Sequence, residues 1–118
     1  MKLKNYAIIL FLIISFSVSA QIGNVKLGNG AGFNITSGDY NVMVGDSTAF
    51  NLTSALFGVF IGRRAGYSLT SGGENIFIGE NAGFTNTTGQ DNVFIGKDAG
   101  RLNLATDNVF IRNKIWRK

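Results

Sequence analysis

The sequence predicts an all-β fold, a parallel β-roll of about six 17-residue coils, and three observations carry that expectation. One short motif recurs as NVKLG at Asn24, NVMVG at Asn41, GVFIG at Gly58, NIFIG at Asn75, NVFIG at Asn92 and NVFIR at Asn108, in steps of 17, 17, 17, 17 and 16 residues. The motif is made of β-branched and aromatic residues and closes on Gly45, Gly62, Gly79 or Gly96, as a short strand ending in a turn does. Further glycines return with the same period, the mark of units that stack only on their neighbours.

Residues 1–20 read as a secretory signal rather than as part of the fold. Lys2 and Lys4 precede the apolar run from Ala7 to Phe16, and Val18-Ser19-Ala20 offers the small residues of a cleavage site before Gln21. The run is too short to span a bilayer, so the expectation is a chain without an integral membrane span, secreted or held at the cell surface. Residues 21–111 form the repeat domain and 112–118 a basic C-terminal tail. The chain has no cysteine. An exported domain of this size without disulfides must then draw its stability from repetitive packing or from association.

Each coil is numbered here in places 1 to 17, beginning at the motif's first residue. Place 1 holds Asn24, Asn41, Asn75, Asn92 and Asn108. Asparagine suits a corner because it tolerates left-handed backbone and its amide reaches the backbone of the next coil. Places 2 to 4 form the first strand and place 5 its closing glycine. Places 10 to 14, as in FNITS from Phe33 and FNLTS from Phe50, alternate apolar and polar residues. A second, half-buried strand is predicted there, with Phe33 and Ile35 facing one way and Asn34 and Thr36 the other. Stacking the coils about 4.8 Å apart makes a stub roughly 24 Å long.

The first strand is apolar at all three of its places, so both of its faces call for burial. One face packs on its own roll; the other is expected to meet a second copy. Place 3 runs Lys26, Met43, Phe60, Phe77, Phe94 and Phe110, and Met43, Phe60, Phe77, Phe94 and Phe110 are the candidates for an outward interface stripe. The alternative is a monomeric solenoid whose stripe is covered by its own tail or tolerated.

Composition excludes several functions. The eleven basic residues outnumber the seven acidic ones, but six of the eleven lie in the leader or the tail. The repeat body is slightly acidic, which is not the electrostatic footprint of a nucleic-acid binder. Without His or Cys the chain has no imidazole base, no thiol nucleophile and none of the commonest zinc ligands. Its acids fall in variable turn places, and the spacing of a calcium roll is absent. No catalytic residue, metal or cofactor is expected. Thr36, Thr53, Thr70 and Thr87 form an exposed ladder at place 13, which leaves ice binding as a remote alternative, although place 11 supplies no matching threonine column.

The unit NVFIGxxAGFxxTTGxx resembles the head repeats of trimeric autotransporter adhesins of the YadA-like type, and also the 17-residue repeats of phage and bacterial tail-fibre-like proteins. The resemblance runs from Asn24 to about Ile111. It implies a left-handed parallel β-roll built by three chains around a common axis, carried at a cell or virion surface and used for attachment. Place 3, often small in that family, is Phe here. No coiled-coil heptads follow the repeats. A homotrimeric, non-enzymatic, adhesin-like or fibre-like surface module is the resulting expectation.

Overall fold

A computed structural model describes residues 22–112 of the chain. The proposed leader, and the tail beyond Arg112, lie outside the described residues. Six three-residue strands follow one another: β1 Val25–Leu27, β2 Val42–Val44, β3 Val59–Ile61, β4 Ile76–Ile78, β5 Val93–Ile95 and β6 Val109–Ile111. They form one parallel sheet in sequence order, and each residue pairs with its equivalent in the next coil, for example Phe60 with Phe77 and Phe77 with Phe94. The described chain is a β-solenoid without helix.

Each rung of the sheet is tied at both ends. The amide of place 2 donates to the carbonyl of the next place 1, as Val42 N does to Gly58 O at 2.8 Å. The amide of the closing glycine donates back to the previous place 4, as Gly79 N does to Ile61 O at 2.7 Å. Gly45, Gly62, Gly79 and Gly96 hold φ of 131, 123, 131 and 117°, a region in which side chains are rarely accommodated. A Cβ on Gly62 would stand 2.7 Å from the carbonyl carbon of Gly79, so the close stacking of the corners also requires glycine.

The asparagines of place 1 are a buried amide ladder rather than left-handed corners. Asn24 Oδ1 accepts from Asn41 N at 2.8 Å, Asn41 Oδ1 from Gly58 N at 2.8 Å, and Asn92 Oδ1 from Asn108 N at 3.0 Å. Their Nδ2 groups donate within the roll, Asn41 to Ala55 O and Asn75 to Gly89 O at 2.8 Å each. The left-handed residue is the one before: Tyr40, Phe57, Glu74, Asp91 and Asp107 at place 17 have φ of 56 or 57°. Gly58 breaks the ladder, because residue 58 offers no side chain to Asn75 N. A Cβ there would lie 2.5 Å from Phe60 Cζ; the ring fills the room that asparagine takes in other coils.

The predicted second strand is absent, although its backbone still links the coils. Asn34 N donates to Phe50 O at 3.2 Å and Thr53 N to Thr70 O at 2.8 Å. The segment is a turn because place 12 bonds back to place 9, as Leu69 N does to Gly66 O at 3.1 Å, and consecutive amides of Thr36 and Ser37 share one acceptor, Thr53 O. A strand would alternate its partners. Consequently Phe33 and Ile35 do not face the same way: Ile35 is buried while Phe33 is 69% exposed.

The core is a set of columns. Met43, Phe60, Phe77 and Phe94 at place 3 pack against Ala31, Ala49, Ala65, Ala82 and Ala99 and against Ile35, Leu52 and Leu69 of place 12. Glycine at place 9 makes the room: a Cβ on Gly83 would come 2.5 Å from Phe77 Cε2, and one on Gly100 2.5 Å from Phe94 Cδ2. Polar residues continue the place 12 column as Asn86 and Asn103, whose Oδ1 atoms accept from Gly89 N at 2.8 Å and Ala105 N at 2.7 Å. The 16-residue step is a deletion just after place 12 of the fifth coil, since Asn103 N still bonds Gly100 O as place 12 does elsewhere and Asn92 Nδ2 reaches Ala105 O as Asn75 Nδ2 reaches Gly89 O.

Candidate functional site

The residues expected to form an outer stripe are the interior of the roll. Met43, Phe60, Phe77 and Phe94 are fully buried within a single chain. Phe110 belongs to the same column, stacks on Phe94 with centroids 5.3 Å apart, and is part-exposed because it sits in the last strand. With place 3 inward, alternation turns places 2 and 4 outward.

The outward face of the sheet therefore carries Val25, Val42, Val59, Ile76, Val93 and Val109 in one column and Leu27, Val44, Ile61, Ile78, Ile95 and Ile111 in the other. All twelve are aliphatic, and in-register pairing sets them in two straight rows. None is buried in the single chain; Ile61 and Ile95 are each 37% exposed, and those of the end strands more so. A contiguous strip of this kind, without a polar residue in it, is the feature that marks an interaction surface.

Two corners flank the strip. Before each strand, places 16 and 17 hold Asp39 and Tyr40, Leu56 and Phe57, Gly73 and Glu74, Gln90 and Asp91, and Thr106 and Asp107. Tyr40 and Phe57 are more than half exposed and their rings stack at 5.5 Å. After each strand, places 6 and 7 hold most of the remaining charge. Glu80 receives Arg63 and, at 3.2 Å, Lys97; Asp98 has Arg112 at 3.9 Å and Arg101 at 4.0 Å. The hydrogen bonds from Arg63 and then Lys97 hold the Glu80 carboxyl below the usual carboxylate range.

A second exterior feature escaped sequence reading: place 10 is an aromatic stack. Phe33, Phe50, Tyr67 and Phe84 lie nearly parallel with centroids 5.1, 5.5 and 5.3 Å apart. Arg101 occupies the next rung and Arg64 reaches the same ring, their guanidinium carbons 5.8 and 5.7 Å from the Phe84 centroid. Arg64 Nε is the one buried side-chain polar atom of the described residues with no hydrogen-bond partner. The sequence signal was the unbroken run of rings ahead of Arg101, hidden by pairing Phe33 with Ile35.

The threonines of place 13 stack in one column, exposed at Thr36 and Thr87 and half-buried at Thr53 and Thr70, and their hydroxyls are engaged. Thr36, Thr53 and Thr70 donate from Oγ1 to the carbonyls of Thr53, Thr70 and Thr87 at 3.2, 2.8 and 2.9 Å. Among the described residues no three His, Cys, Asp or Glu side chains gather where they could hold a metal, and no helix is long and apolar enough to cross a membrane. No protein-family model matches the chain, and neither a curated protein nor a solved structure shows significant similarity to it.

Proposed function

We propose that the chain is an exported structural module that assembles with copies of itself through the aliphatic face of its sheet, as a trimer, and serves as an adhesin-like or fibre-like surface element. The observation that carries this reading is the double row of valine, leucine and isoleucine left uncovered by the single chain. The fold buries the rings of Phe60, Phe77 and Phe94 in its own interior and still presents a second apolar layer outside. Burying that layer between copies follows from the cost of leaving such a strip in water. The polar turns at places 11, 13 and 14 remain on the opposite side, as the surface offered to whatever is attached.

Light scattering on the exported chain tests the assembly, with three chain masses expected. Ile78→Asp should reduce the mass to that of one chain while circular dichroism keeps the β signal. A native chain of single mass would sink the reading in favour of a monomeric solenoid. Ice binding is the weaker reading, because the Thr36, Thr53 and Thr70 hydroxyl protons are committed to the neighbouring coil.

A further inference from the structure

The turn after the first strand contains a dipeptide that no later coil repeats. Asn29-Gly30, at places 6 and 7, is the one asparagine of the sequence followed by glycine, and no aspartate precedes a glycine. The asparagines of place 1 and Asn34 precede valine or isoleucine, whose branched side chains crowd the following amide. Asn29 is exposed. Its side chain is also the one asparagine side chain among the described residues that makes no hydrogen bond, since the place 1 ladder and Asn34, Asn51, Asn81, Asn86 and Asn103 are all held through theirs.

The nitrogen beside it is free as well. In the coils that follow, the place 7 amide donates to the place 6 carbonyl of the coil before: Ser47 N to Asn29 O at 2.8 Å, Arg64 N to Asp46 O at 2.9 Å, Asn81 N to Arg63 O at 3.0 Å and Asp98 N to Glu80 O at 2.8 Å. Gly30 N has no such acceptor among the described residues. Place 7 is left-handed in each of these coils, with φ of 70° at Gly30, a conformation that glycine adopts without strain.

We propose that Asn29 is a site of spontaneous covalent modification, at which the Gly30 nitrogen attacks Asn29 Cγ and residue 29 becomes aspartyl or isoaspartyl. A bond forms between Gly30 N and Cγ as the bond from Cγ to Nδ2 breaks, and Nδ2 leaves as ammonia with the proton given up by the Gly30 amide. A succinimide ring remains. Water then opens it, at Cγ to give aspartate or at the main-chain carbonyl to give isoaspartate, and nothing is oxidised or reduced. Either product loosens the first coil. Asp46, the next residue of the place 6 column, already accepts from Asn29 N at 3.2 Å, so a carboxylate at residue 29 meets a like charge. The isoaspartyl form also reroutes the main chain through Cβ and turns the Asn29 carbonyl, the acceptor of Ser47 N, into a free carboxylate.

Incubation of the purified full chain at mildly alkaline pH, followed by peptide mapping with fragmentation in a mass spectrometer, tests this. Conversion is expected at Asn29 ahead of every other asparagine, with the mass gain of a hydroxyl replacing an amino group, uptake of one labelled oxygen from heavy-oxygen water, and a rate that climbs with hydroxide. Asn29→Gln should keep the fold by circular dichroism and lose the modification. The rate at Asn29 in urea should be close to the native rate. A native rate more than about tenfold below it would mean that the turn adds a barrier by holding the two atoms apart, and overturns the proposal. Earlier conversion at any other asparagine of the native chain overturns it too. Ion exchange separates the converted chains by their added negative charge, and in them the Ser47 amide should exchange faster while those of Asn81 and Asp98 stay protected. Unchanged protection at Ser47 overturns the loosening of the first coil.

Discussion

The ring of Phe77 lies flat on that of Phe94, centroids 4.8 Å apart and planes inclined by 6°, at the centre of one chain. Phe94→Asp therefore tests the fold of the monomer and says nothing of assembly. It puts a carboxylate where no water or partner awaits, and Phe94→Ala alone should cost about 3–5 kcal/mol through lost contact and cavity. Against the 5–15 kcal/mol that holds a typical domain, the Asp variant should be unfolded at any concentration. Phe94→Leu should retain the fold. Loss of the β signal in Phe94→Asp at every concentration, measured by circular dichroism, checks this.

The asparagine ladder gives a second expectation. Asn92 is buried, accepts from Asn108 N and donates to Ala105 O and Asn75 Oδ1. Asn92→Ala strands these groups away from water and should cost about 1–3 kcal/mol for each left unsatisfied. Asn92→Asp should be no better, since a carboxylate has no proton for Ala105 O. Urea denaturation of the two variants measures it. The gap in the ladder predicts that the Asn75 amide exchanges faster than those of Asn92 and Gly58, which asparagine side chains hold.

Two glycines a few residues apart should respond differently to one methyl group. Gly79 has φ of 131° and its Cβ would meet Gly96 O at 2.5 Å. Gly73 has an ordinary φ, and the nearest atom to its Cβ is Leu56 O at 3.2 Å. Gly79→Ala should lower the melting temperature steeply, through both backbone strain and corner stacking, and Gly73→Ala only slightly.

Glu80 contributes to the response to acid. Its carboxyl titrates lower in the folded chain than when unfolded, chiefly because Arg63 and then Lys97 donate to it. A depressed folded value means that the ion pairs contribute above the unfolded value and that the contribution is lost as pH falls through the folded one. The melting temperature of the native chain should exceed that of Glu80→Gln at neutral pH. The gap should close below about pH 4, and also in high salt, because the group is at the surface.

The period, the six strand positions and the need for glycine at the end of each strand were legible because each repeats in all or nearly all coils. Which way the strand faces was not. A strand apolar at three successive places satisfies either assignment, and shifting by one residue exchanges the faces. The deciding information lay across the coil, where Ala82-Gly83 and Ala99-Gly100 are small because Phe77 and Phe94 fill the space above them. The second strand misled for a related reason: Phe33 and Ile35 alternate as a strand would, but Gly32 with φ of 55° turns the chain just before them.

Every rung between coils is made of backbone hydrogen bonds that run along the stacking axis, such as Val42 N to Gly58 O and Gly79 N to Ile61 O. This gives the stub a characteristic mechanical response. A pull applied between its two ends loads these bonds in series, one coil after another, instead of sharing the force across a whole ladder as shear between long strands does. Each yielding coil frees 17 residues, or 16 in the fifth, which is about 60 Å of slack chain for the roughly 4.8 Å it occupied. Used as a tether, the module would lengthen in uniform steps and give way gradually.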